Sequence, residues 1–134
     1  MLNTALHKKP YRWVLLRHTG APDDARGIHF DLLLEDKEFC RSWRLSEIPL
    51  LDGPYVNSLY IAPHTLDWLD VKEKFVSGNR GFATRIRHGV FLKSLPSIEK
   101  SPINLSLKWD GDEGVLLIDE NGCRIVRKNI NYCL

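Results

Sequence analysis

The sequence predicts an all-β, mainly antiparallel fold, a small β barrel with short irregular or helical connections. Apolar and polar residues alternate with a period of two in short runs, most cleanly from Ile28 to Glu35 and from Ile103 to Trp109. Clusters of Gly, Pro, Asn and Asp punctuate those runs. Many short strands joined by turns favour a barrel or a sandwich over an α/β arrangement.

Tyr11 to His18 is rich in aromatic and aliphatic residues and runs into Thr19-Gly20-Ala21-Pro22, so it reads as a strand followed by a loop. From Ile28 to Glu35, residues Ile28, Phe30, Leu32 and Leu34 form a core face. His29, Asp31, Leu33 and Glu35 form a second face available for chemistry. Glu35-Asp36-Lys37 turns the chain into a third strand, Glu38 to Leu45, completing a meander. Pro49, Gly53 and Pro54 mark a connection, and Leu59 to Ala62 is a short strand ending at Pro63-His64.

Thr65 to Phe75 fits a helical turn with Thr65 as N-cap and an extended segment equally well. Ser77 to Gly81 is a tight loop, and Phe82 to Leu92 is strand again, with Arg85 and Arg87 expected on one face. Ile103 to Trp109 alternates and is followed by a polar turn, Asp110 to Gly114. Val115 to Ile118 and Cys123 to Arg127 form a last hairpin, with Asn121-Gly122 expected to supply its positive φ angles.

The 134 residues suit a single domain, with residues 1–10 as a flexible N-terminal segment. A hydrophobic content of 43% and a charged content of 27% belong to a folded globular chain rather than a disordered one. Cys40, Cys123 and Cys133 lie far apart without zinc-ribbon spacing and read as reduced thiols. No apolar stretch is long enough for a signal peptide or a membrane span, which predicts a cytoplasmic protein with no membrane partner. A net charge of +2 is too mild to announce nucleic-acid binding, so local arginine placement must carry that question.

His29 and Asp31 share a strand face, and His18 closes the neighbouring strand, so pairing of the two strands would gather two imidazoles and a carboxylate. That donor set holds divalent transition metals with open coordination positions. The spacing is equally that of a solvated edge strand. His64, after Pro63, reads by itself as a surface histidine.

The ordered set Arg17-His18, His29-Phe30-Asp31-Leu32-Leu33-Leu34-Glu35, Ser42-Trp43-Arg44-Leu45 and His64-Thr65-Leu66-Asp67-Trp68 resembles the N-terminal 3′-phosphoesterase domain of DNA ligase D. The resemblance spans Trp13 to about Gly89. It implies an antiparallel barrel that binds a divalent metal, typically Mn2+, with Zn2+ or another transition metal as alternatives. It also implies removal of a terminal ribonucleoside or a 3′-phosphate from nucleic-acid 3′ ends in DNA repair. By that resemblance His18, His29 and Asp31 are the metal ligands and His64 contacts the scissile phosphate.

The chain departs from the family pattern at several positions. Leu33 stands at a phosphate-binding arginine, Glu47 near a lysine, Ala62 near a glutamate and Trp68 at a tyrosine. Arg80, in its glycine-flanked loop, is the first candidate to replace the arginine, followed by Arg85, Arg44 and Arg17. The chain is also similar to short stand-alone members, which implies a branch without ligase or polymerase modules, acting on primer-template ends with ligase or polymerase as separate proteins. A monomer is expected, because Trp13, Trp43, Trp68 and Trp109 fall in strand-like segments and read as core or site aromatics rather than an interface. Two other functions stay open: a catalytically degenerate metal-containing module that binds nucleic-acid ends or a protein, and a phosphoesterase for free nucleotides.

Overall fold

The structure is a computed structural model that describes residues 9–128. The N-terminal segment up to residue 8 and Cys133 lie outside the described residues. Among the described residues there are nine strands: β1 (Tyr11–Thr19), β2 (Ile28–Asp36), β3 (Phe39–Leu45), β4 (Ser58–Thr65), β5 (Glu73–Phe75), β6 (Phe82–Phe91), β7 (Ile103–Trp109), β8 (Asp112–Asp119) and β9 (Gly122–Val126). They pair in the order β4-β3-β2-β1-β6-β7-β8-β9, and β5 adds to β6. Every ladder is antiparallel.

The curled sheet is a small β barrel of the class the alternation predicts. Its seam is closed by the segment before β4: Leu51 bridges Ile125, and Val56 bridges Cys123 through reciprocal backbone hydrogen bonds of 2.8 and 2.9 Å. This covers the β9 edge, which would otherwise offer unpaired backbone groups. Gly122 makes the approach possible. Its φ is +121°, and a Cβ there would collide with the Val56 carbonyl oxygen.

The interior is one apolar cluster in which Trp13, Leu15, Leu32, Leu34, Trp43, Leu45, Phe91 and Trp109 meet the alternating residues of β7, β8 and β9. Trp13 and Trp109 pack edge to face with centroids 5.9 Å apart. The second face of β2 is not open as expected. Leu33 is fully buried with Val14, Leu16, Cys40 and Leu69 in a second cluster, against which Leu66 and Trp68 pack. The cover is a 3-10 turn, Leu66–Asp70.

Both readings of Thr65 to Phe75 are realised in succession, the 3-10 turn first and β5 after it. Thr65 stands at the N-cap but makes no side-chain cap, because its hydroxyl bonds the Asp67 carboxylate. Strand β4 runs on through Pro63 to Thr65, further than the sequence suggests, and β8 starts at Asp112, shortening the polar turn to Asp110-Gly111. In the last hairpin the turn residues are Glu120-Asn121, and of the Asn-Gly pair only Gly122 has positive φ.

Arg85 and Arg87 point to opposite faces, contrary to expectation. A register shift pairs Leu16 with Arg85 and Leu15 with Arg87, so Ile86 is an extra residue that inverts the alternation. Arg87 accordingly lies over the Trp109 ring at 5.4 Å. Among the described residues, no helix is long and apolar enough to cross a membrane.

Candidate metal centre

The outer face of the barrel carries the candidate site. The register pairs His18 with His29 and Leu16 with Asp31, and cross-strand partners point to the same side. His18, His29 and Asp31 therefore converge, each offering a donor atom within 4.8 Å of the others. His18 Nδ1 lies 3.3 Å from Asp31 Oδ2, and His29 Nε2 lies 3.4 Å from Asp31 Oδ1. Ligands sharing one ion with bonds of about 2.0–2.2 Å stand this far apart.

The remaining ring nitrogens are already engaged. His18 Nε2 is 2.7 Å from the Arg80 carbonyl oxygen, which can only accept, so Nε2 carries the hydrogen and Nδ1 faces the carboxylate with its lone pair. His29 Nδ1 donates to Asp24 Oδ2 at 2.8 Å, leaving Nε2 toward Asp31. Asp24 is held in turn by the Arg26 amide, which donates to Oδ1 at 3.0 Å. Such partners on the far nitrogen fix the tautomer of metal-binding histidines.

His29 Nε2 and Asp31 Oδ1 are buried without a hydrogen-bond partner. Facing lone pairs at 3.4 Å in a desolvated place require positive charge between them, either a proton on His29 or a shared cation. The three residues thus fit a divalent metal, with donor chemistry that does not select among manganese, iron and zinc. Burial pushes the Asp31 carboxyl up, but the adjoining His18 and His29 rings outweigh it and hold the group well below its usual range. The Asp31 carboxylate in turn raises the His18 pKa against the opposing effect of burial.

His18 and Asp31 line a cavity of about 660 Å³ whose walls include His64, Arg44, Trp68 and Arg80, with His29 buried behind them. His64 is half-buried and its Nδ1 lies 2.8 Å from Ser42 Oγ. The Ser42 hydroxyl gives its hydrogen to the Cys40 carbonyl at 3.1 Å and so accepts from Nδ1, which leaves Nε2 as the free nitrogen. Burial lowers the His64 pKa, so the ring is neutral at neutral pH.

The four arginines singled out in sequence have different placements. Arg44 stands opposite Asp31 in the register and lines the cavity. Its Nε is buried without a partner, and Nη1 is 3.3 Å from Asp23 Oδ2. Arg80 lines the cavity too, but its guanidinium folds back on its own loop, with Nε 2.6 Å from the Ser77 carbonyl and Nη2 3.1 Å from the Ser77 hydroxyl. Its carbonyl, rather than its side chain, orients His18. Arg85 shares the outer face but does not line the cavity, and Arg17 points to the opposite side from His18 as its strand neighbour.

Sequence reasoning missed Asp24 and Ser42 as orienting residues. Asp24 belongs to the Pro22-Asp23-Asp24 turn, which reads only as a loop, and nothing local says that it folds back over His29. The chain matches no protein-family model and no curated protein.

Proposed function

We propose that the chain is a divalent-metal-dependent phosphoesterase that processes nucleic-acid 3′ ends, removing a 3′-phosphate or a terminal ribonucleotide during DNA repair. The observation that carries this reading is the pair of facing, unpartnered donor atoms, His29 Nε2 and Asp31 Oδ1, of which Asp31 lines a cavity shared with His18, a neutral imidazole and an arginine. The ordered resemblance to ligase D phosphoesterase domains supplies the substrate class.

A divalent ion held by His18, His29 and Asp31 supplies Lewis-acid polarisation of the phosphate ester. Arg44 donates to nonbridging phosphate oxygens, the role left open by Leu33, whose side chain is locked in the second apolar cluster. His64 takes a proton at Nε2 from the attacking water as its oxygen bonds to phosphorus. The ester oxygen leaves from the opposite side and takes its proton from water, and His64 releases its own proton to solvent. Asp24, Ser42 and the Arg80 carbonyl hold the three imidazoles in the required tautomers.

The test is a manganese-dependent assay of wild type and His29→Ala on a labelled primer-template ending in a 3′-phosphate or a ribonucleotide. Release of phosphate or ribonucleoside by wild type alone is the expected result. Because the working form of His64 is neutral and burial depresses its pKa, kcat/KM should rise with pH through a value below 6.5 and then level. Absence of turnover on both ends, with metal bound, would overturn the enzymatic reading.

A second reading, a metal-containing module that binds ends without cleaving them, is favoured by the Arg80 guanidinium being spent on Ser77. It requires salt-sensitive binding of 3′ ends without product.

A further inference from the structure

A lysine that the motif resemblance does not touch stands in the same row as the metal centre. The register pairs Lys74 of β5 with Ala83 of β6, Ala83 with His18 of β1, and His18 with His29 of β2. Cross-strand partners share a face, so Lys74, Ala83, His18 and His29 form one line across four strands on the outer side of the sheet. Ala83 is buried and no longer than a methyl group, so no bulky side chain stands between Lys74 and His18. Two strand spacings, about 10 Å, separate the Lys74 and His18 backbones, and a lysine stem spans more than half of that.

A second observation places the ammonium against a wall residue of the same cavity. Lys74 Nζ lies 5.0 Å over the Trp68 ring. Trp68 is a cavity wall and packs edge to face on His64 at 5.8 Å. Among the described residues Lys74 has no carboxylate within ion-pair distance, whereas Arg12, Arg41, Arg44 and Arg127 each have one. Arg44 flanks the triad from β3 and Lys74 from β5, so positive charge stands on both sides of the buried donors.

Resting on the phosphoesterase reading, we infer that Lys74 holds the phosphodiester one step along the chain from the reacting phosphate, and thereby selects polynucleotide ends over free nucleotides. A mononucleotide bound at the triad has no group to offer this ammonium. An oligonucleotide does, and the aromatic contact with Trp68 keeps the charge aimed along the cavity rim before substrate arrives.

The experiment measures binding of a 3′-phosphorylated trinucleotide and of a nucleoside 3′-monophosphate, with Mn2+, to wild type, Lys74→Ala and Lys74→Arg. Thermal melting checks that the variants fold. Wild type should prefer the trinucleotide by about tenfold or more, as charge-assisted contacts allow. Lys74→Ala should lose most of that preference and lower the log-log salt slope by about 0.7, one phosphate contact on a single strand, and Lys74→Arg should keep both. An unchanged ratio in Lys74→Ala, or equal loss for both ligands, overturns the inference while leaving the phosphoesterase reading in place. Failure of wild type to bind either ligand with metal removes both.

Discussion

Asp24 controls which nitrogen His29 presents to the shared centre, although it touches no donor atom of the set except through the ring. An amide at this position can donate instead of accept, which would move the hydrogen to Nε2 and withdraw the lone pair that a metal needs. Asp24→Asn should therefore weaken Mn2+ binding by about tenfold to a hundredfold in a calorimetric titration, while thermal stability changes little. Equal affinity would mean that the tautomer is set elsewhere. The buried thiols behave in the opposite manner, as inert packing groups: burial pushes Cys40 and Cys123 up to about 12. Neither should be alkylated in the folded protein at neutral pH, and peptide mapping after a brief iodoacetamide pulse checks it.

At the scale of elements, the 3-10 turn Leu66–Asp70 turns a half-exposed sheet face into a second core and builds a wall of the cavity. Leu33 belongs to that core, packed with Leu69, and has no accessible surface. An arginine in place of Leu33 would put an unpaired charge there. Leu33→Arg should lower the urea-unfolding free energy by about 3 kcal/mol or more, and near-wild-type stability would show that the patch opens readily. Strand β4 contributes by length: its continuation through Pro63 brings His64 opposite Cys40, where Ser42 can orient it. The bulge at Ile86 keeps Arg85 on the outer face and sends Arg87 to Trp109, so two residues of like charge serve different surfaces.

For the whole molecule, closure and the centre's charge decide stability. Gly122→Ala imposes a side chain on a backbone with positive φ and pushes against Val56 across the barrel seam. It should cost about 1–3 kcal/mol, read as a lower unfolding midpoint in urea. Acid acts through Asp31. Its folded pKa lies below the unfolded value of about 3.9, so the unfolded chain takes up the proton first. The stabilisation from its ionised form is present above that value and is lost as pH falls through the folded pKa. Metal-free wild type should therefore destabilise below about pH 4 more steeply than Asp31→Asn, which lacks the titrating group. A matching acid limb in the two proteins would remove Asp31 as the cause.

Local pattern by itself determined most of the strands and turns and the barrel class, because alternation and turn chemistry act over a few neighbouring residues. It also placed His29 and Asp31 on one face, since a period of two leaves no other arrangement, and His18 near the end of the adjoining strand, while the register that sets His18 beside His29 came from the pairing of β1 and β2. Tertiary structure alone decided the rest. Whether the second face of β2 meets water depended on a cover arriving from some thirty residues later, and periodicity within β2 carries no information about it. The same holds for Asp24 over His29, for the Arg80 carbonyl on His18 and for the barrel seam at Val56. Each is a contact between segments distant in sequence, chosen by register, bulges and close packing rather than by the residues next to it.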